Sequence, residues 1–372
     1  MILNAIATSL GLLTALVAAQ AESDLLVKTN HFTIQGIVEP NTTNVRTFRR
    51  VPYAEAPVDQ LRFMPPVTKK PEVAILDGTQ YGASCIQLNN GQPTAYTEHL
   101  PGFLLAPGAT TAEDCLSLIL WAPRAVANRS LPVIIYIPGG GFTGGGANSQ
   151  YKYGANIVRD NQDVVVISIN YRVNIFGYPN AASLNQHNLN PGLLDQRKAV
   201  EWVYENIAAF GGDPSRITLW GQSAGGSSVD KYAYAWSDDP IVQGFIADSG
   251  VATLIGKSAA DTSNFTYVAQ QVGCNQTDAD EAFTCVQKAS AQDIIAVLNK
   301  YNVSTNGGRS LSFTPAGDNE TSFVDYSGLQ RDGKFARIPD SLCDDMSGRK
   351  GGTGENEMGR AILALPLFWG IP

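Results

Sequence analysis

Histidine is nearly missing from this chain. Its 372 residues include three, at positions 31, 99 and 187. Charged residues are scarce as well, at 16% against about 25% in ordinary globular chains. Lys and Arg total 26 against 34 Asp and Glu, for a formal net charge of −8, and no basic cluster offsets that deficit. A surface that tracks phosphates needs the opposite balance, so nucleic acid is not an expected partner. Long apolar runs are lacking too. Ala5–Ala18 and Ala361–Pro372 both fall short of the about 20 residues that cross a bilayer, which excludes a stable membrane span. There is no internal repeat and no long low-complexity segment. No cofactor and no metal is expected.

What is present begins with a leader. The apolar run Ala5–Ala18 leads into Ala19-Gln20-Ala21, an A-x-A cleavage site before Glu22, so residues 1–21 read as a signal peptide without Lys or Arg in the n-region. Six Asn-x-Ser/Thr sequons, at Asn41, Asn128, Asn264, Asn275, Asn302 and Asn319, fit the same secretory route. Five cysteines suit an oxidising compartment, and the odd number leaves one unpaired. The expected location is extracellular.

Leu131–Ile137 and Asp163–Tyr171 are continuous apolar runs, as strands buried on both faces should be. Leu193–Phe210 carries Val200, Val203 and Ile207 on one stripe and ends at Gly211-Gly212, the pattern of an amphipathic crossover helix. Ile217–Trp220 and Gly244–Ala247 are further strands. Alternation of buried strands with helices predicts a mainly parallel, doubly wound α/β sheet. From Val27 to Arg50 the pattern is short and strand-like, and the prolines that follow at 52, 57, 65 and 66 make this an extended surface arm rather than central sheet. Residues 86–114 are loop-like, with an apolar patch at Gly102–Leu105, and read equally as a tethered flap or as a plain surface excursion.

Two glycine-rich segments carry the chemistry. Gly221-Gln222-Ser223-Ala224-Gly225 lies between the apolar run Ile217–Trp220 and a helix-competent stretch, which is the setting of a nucleophile elbow. Such a turn is tight enough that side chains at 221 and 225 would collide, hence glycine at both. Pro138-Gly139-Gly140-Gly141-Phe142 follows the Leu131–Ile137 strand, and its consecutive glycines let backbone N–H groups approach a ligand oxygen.

These two segments, with Glu113-Asp114-Cys115-Leu116, Asn170-Tyr171-Arg172, Val51-Pro52-Tyr53-Ala54 and Leu193-Leu194-Asp195-Gln196-Arg197, resemble the type-B carboxylesterase family. That family is the cholinesterase and fungal lipase branch of the α/β-hydrolases. The resemblance runs from about Val27 to Pro339. It implies an α/β-hydrolase fold for residues 22–339, with residues 340–372 a divergent tail. It implies a serine carboxylic-ester hydrolase that works through an acyl-enzyme on a small-molecule or lipid-like ester. Ser223 would be the nucleophile, and the N–H groups of Gly140, Gly141 and Ala224 the oxyanion hole. Cys85 would pair with Cys115, and Cys274 with Cys285, leaving Cys343. Pro138 stands where the family often has His or Tyr, with little expected effect because the backbone amides do the work.

The acid and base fit less simply. After Ile338-Pro339 the family's apolar strand is replaced by the polar Asp340–Gly352. Glu357 resembles the catalytic acid and equally reads as a solvated loop glutamate. α/β-Hydrolases order their triad Ser, then Asp or Glu, then His, yet all three histidines precede Ser223. Two rivals therefore stand beside the hydrolase: a non-catalytic, cholinesterase-like binding or adhesion module, and a C-terminally truncated gene product.

Overall fold

The structure is a computed structural model that describes residues 24–88, 95–106, 108–124, 129–184, 188–256, 258–304, 311–338 and 340–344. The leader, Asn128, His187 and Glu357 lie outside the described residues.

Seven strands form the central sheet. They are β1 (Val45–Pro52), β2 (Ser117–Pro123), β3 (Leu131–Ile137), β4 (Val165–Ile169), β5 (Gly212–Gln222), β6 (Gly244–Asp248) and β7 (Asp340–Asp344). Their order is β7-β6-β5-β3-β4-β2-β1. β7, β6, β5, β3 and β4 run parallel, while β2 runs against both of its neighbours. The crossovers place α1 (Ala155–Asn161) between β3 and β4, α2 (Pro191–Asn206) between β4 and β5, and α3 (Ala224–Ala235) between β5 and β6.

Alternation along the strands divides the core into two faces. On β2, Leu118 and Leu120 join a large cluster with Val200 and Val203 of α2 and Val229 of α3. The intervening Ile119 and Trp121 face Ala155 and Val158 of α1. Every residue of β4 is buried, as predicted for a strand covered on both sides. β3 departs from that expectation: Pro132 is exposed and Ile134 and Tyr136 are half-buried, so it alternates. Helix α2 opens on Pro191, whose fixed φ suits a first turn. It passes into the tight turn Ile207–Phe210, which Gly211 closes at φ 87°.

Two sequence expectations are corrected at the sheet edges. Val45–Pro52 is not a surface arm. It pairs with β2 and buries Phe48 and Val51 completely. Pro52 is tolerated because it ends an edge strand, where no further partner needs its missing N–H. Nor is the strand after Ile338 lost: Asp340–Asp344 lies parallel to β6 with Leu342 opposite Ile246, because backbone pairing needs no apolar side chains.

A second core lies outside the sheet. Helices Ser263–Gln271, Ala279–Lys288 and Ala291–Ser304 pack Phe265, Phe283, Val286 and Ile294 against Phe63 and Phe176. The Cys274–Cys285 disulfide ties the turn after the first of these helices to the second. Cys85 bonds to Cys115 across the other loop. That loop is docked rather than free: Phe103 packs on Tyr151 with ring centroids 4.6 Å apart, and Ser149 Oγ donates to Gly102 O at 2.9 Å.

Candidate active site

Ser223 is the one residue between β5 and α3. Its φ of 59° and ψ of −121° are a conformation that side-chain-bearing residues rarely adopt. Two hydrogen bonds hold it there: Ser223 N–H donates to Asp248 O at 2.8 Å, and Ser223 O accepts from Ser227 N–H at 2.8 Å. The glycines are needed, though not only against each other. A Cβ on Gly221 would lie 2.3 Å from Gly225 O, whereas one on Gly225 would lie 2.0 Å from Ile137 O, on the neighbouring strand. The elbow is therefore pressed against the end of β3, where the glycine run begins.

The two segments meet. A Cβ on Gly139 would come within 3.1 Å of Ser223 Cβ. Gly140 and Gly141 have φ of 136° and 63°. The turn closes with Thr143 and Gly144 N–H groups both donating to Gly140 O at 3.1 Å. Among the described residues, the N–H groups of Gly140, Gly141 and Ala224 donate to no protein acceptor. Ala224 is the first residue of α3, so its N–H carries the positive end of that helix. Three unpaired backbone donors on adjoining turns beside a serine hydroxyl are what a developing oxyanion requires.

The motifs singled out in the sequence support this arrangement from behind. Tyr171 OH donates to Pro138 O at 2.7 Å, and burial raises its pKa. Asn170 Oδ1 accepts from Ala147 N–H at 2.9 Å, at the far end of the glycine loop. Arg172 forms a bidentate pair with Asp195 of α2, at 2.8 and 2.7 Å, with both side chains buried. Tyr53 OH donates to Asn170 O at 2.6 Å. Arg62 pairs with Glu113 at 2.6 Å and reaches the carbonyls of Gln287 and Ala289, linking the Cys85–Cys115 loop to the helical layer.

The sequence did not single out Gln87, Asn174 or Lys231. Gln87 bonds to both backbone groups of Gly145. Asn174 Nδ2 donates to Ile86 O at 2.8 Å, and its N–H donates to Phe142 O at 2.7 Å. Lys231, buried within α3, donates to Ala252 O at 2.8 Å, Ser322 Oγ at 3.0 Å and Tyr326 OH at 3.2 Å. The positions two residues past Cys85 and just past Arg172 were the only signals for the first two.

Among the described residues, no histidine joins Ser223. Asn30, beside His31, bonds to Asn206 and Glu205 at the end of α2. That end feeds the start of β5, which runs beside Leu131–Ile137 from Gly212 to Gly221 and so places Ser223 roughly 20 Å away at the other end of the sheet. His99 is exposed on the short helix Ala95–His99, with Glu98 at 4.0 Å. Trp220 Nε1 donates to Asp248 Oδ2 at 2.6 Å, so that nearby carboxylate is already engaged. Among the described residues, no group of His, Cys, Asp and Glu side chains could hold a metal ion, and no helix is long and apolar enough to cross a membrane.

Sheet order, crossovers and elbow define an α/β-hydrolase. More narrowly, the chain belongs to the carboxylesterase family, which matches residues 23–335. It is 45% identical to a chlorogenic acid esterase of Aspergillus niger over 319 residues, covering 85% of this chain and 60% of that one. It is 39% identical over 323 residues to secreted lipase 5 of Gibberella zeae, covering 80% and 59%. It is 34% identical over 288 residues to an acetylcholinesterase of Danio rerio, covering 74% and 44%. The chain thus spans about 60% of the length of the two fungal relatives.

Proposed function

We propose that this chain carries the nucleophile and oxyanion hole of a serine carboxylic-ester hydrolase. The observation that supports it best is Ser223, held at positive φ on a strand-to-helix turn beside three unpaired backbone N–H groups. Ser223 Oγ would attack the ester carbonyl to form a tetrahedral oxyanion, then an acyl-enzyme that water hydrolyses. Each donor to that oxyanion is worth about 3–4 kcal/mol. The relatives' names point to small-molecule or lipid-like esters. Glu357 is proposed as the acid that would orient a base.

A secretory route agrees with the leader, with both disulfides and with a relative named as secreted. Asn41, Asn275 and Asn319 are exposed and suited to carry glycans. Asn264 Nδ2 is engaged by Ser312 O at 3.0 Å, which leaves it a poorer acceptor.

A serine hydroxyl without a base is a poor nucleophile near neutral pH, and its loss in comparable triads costs about a millionfold in kcat. Turnover by these 372 residues alone is accordingly expected to be very slow. The placement of His31 and His99 also favours the second reading, a non-catalytic binding module on the same scaffold. A fluorophosphonate probe with peptide mapping tests the assignment. In a version of this protein that has its full triad, label is expected on Ser223, lost in Ser223→Ala and unchanged in His31→Ala and His99→Ala. Labelling elsewhere that survives Ser223→Ala would sink it.

A further inference from the structure

We propose that Gln87 is a positioning residue that sets the geometry of the oxyanion loop; the catalytic consequence rests on the ester-hydrolase reading above. Gln87 Oε1 accepts from Gly145 N–H at 2.9 Å, and Gln87 Nε2 donates to Gly145 O at 3.0 Å. The second Nε2 proton goes to Cys85 O, also at 3.0 Å. Both amide protons and one oxygen lone pair are therefore used, and the head group has a single orientation. It copies a strand partner for Gly145 where no strand is available.

Gly145 is the position through which this clamp reaches the donors. It sits at φ 97°, and a Cβ there would lie 2.2 Å from Gly139 O. A Cβ on Gly140 would lie 2.2 Å from Gly144 O. The two limbs of the loop are thus stacked backbone on backbone, and neither can move without the other. Holding Gly145 holds Gly140 and also Gly139, which abuts Ser223. Cys85 in turn is covalently bonded to Cys115, so the clamp is mounted on the disulfide. Misplacement of a catalytic group by about 1 Å costs about a hundredfold in rate.

Gln87→Met keeps the length and loses the polar head. The direct readout is the backbone amide NMR signals of Gly140, Gly141 and Ala224 in the 372-residue chain. Gly140 and Gly141 are expected to shift or broaden while Ala224, which α3 holds independently, stays put. Unchanged loop signals, or an equal shift at Ala224, would overturn the proposal. If Gln87→Met does not fold, Gln87→Glu carries the same test, since it keeps the acceptor for Gly145 N–H and loses both donors. Where Ser223-dependent turnover is measurable, kcat should fall about 10- to 100-fold with KM within about twofold. A change confined to KM would count against the role. Hydrolysis that survives Ser223→Ala would refute the ester-hydrolase reading instead, leaving the loop signals to decide the part played by Gln87.

Discussion

The elbow and the glycine loop present the same kind of group, a backbone N–H, yet the chain secures them differently. The elbow holds itself. Its turn is closed by Ser223 and Ser227, its glycines are fitted against Gly225 and Ile137, and its backbone partners lie on the adjacent strands β3 and β6. The glycine loop is held by borrowed side chains drawn from two separate stretches: Gln87 from one, and Asn170, Tyr171 and Asn174 from the other. A self-contained turn resists perturbation until it breaks outright. A loop held by distant groups can lose one support and shift.

Alanine at one glycine in each segment separates the two cases. Gly225→Ala puts a methyl 2.0 Å from a main-chain oxygen of β3, which no rotamer change relieves. The expected loss is at least about 3 kcal/mol, with much of the protein unfolded on expression. Gly141→Ala meets nothing nearer than Thr143 Oγ1 at 3.6 Å. Its penalty is the positive φ alone, about 1–2 kcal/mol, and the fold should survive. Urea midpoints of the two variants make the comparison, and equal losses would erase the distinction.

This asymmetry also explains what could be read in advance. The elbow was legible because its constraint is local, five residues between an apolar run and a helix. The glycine run was legible for the same reason, and so was the Asn170-Tyr171 pair behind it, but the supports Gln87 and Asn174 were not. A glutamine in a polar loop carries no signal of its own until the fold brings it to Gly145. β1 was misread because Pro52 reads as a break, although it stands at the end of an edge strand. β7 was misread because its sequence is polar, whereas its pairing with β6 is through the backbone.

The disulfides offer a smaller test on the loop side. Cys85 and Cys115 are 30 residues apart, and Cys274 and Cys285 are 11 apart. Chain-entropy estimates put their contributions at about 4 and about 3 kcal/mol. Paired Cys→Ser variants should rank in that order by urea unfolding. The loss of Cys85–Cys115 alone should disturb the amide signals of Gly140 and Gly141, because it unseats Gln87. The Cys274–Cys285 variant belongs to the helical layer and should leave those signals in place.

The smallest expected effect lies on the elbow side. Helix α3 has a support drawn from distant loops in Lys231, whose ammonium binds Ala252 O, Ser322 Oγ and Tyr326 OH. Burial lowers its pKa from 10.5 to about 7, against a partial counter-pull from Asp230 and Asp318. Between those two values the unfolded chain holds a proton that the folded chain has lost. Stability must therefore rise with pH from about 7 towards 10.5 and be lowest, as far as this group goes, below 7. The slope has a ceiling of about 1.4 kcal/mol per pH unit for one proton. The pKa of Asp230 is raised by burial. Lys231→Met removes the titrating group, so urea unfolding of that variant should show a shallower slope than the parent between pH 7 and 10. Its stability should change least at the alkaline end, where the parent lysine is already neutral. An identical slope in the two proteins would mean that Lys231 keeps its proton throughout, and that α3 is held by a permanent charge rather than by a tie that responds to pH.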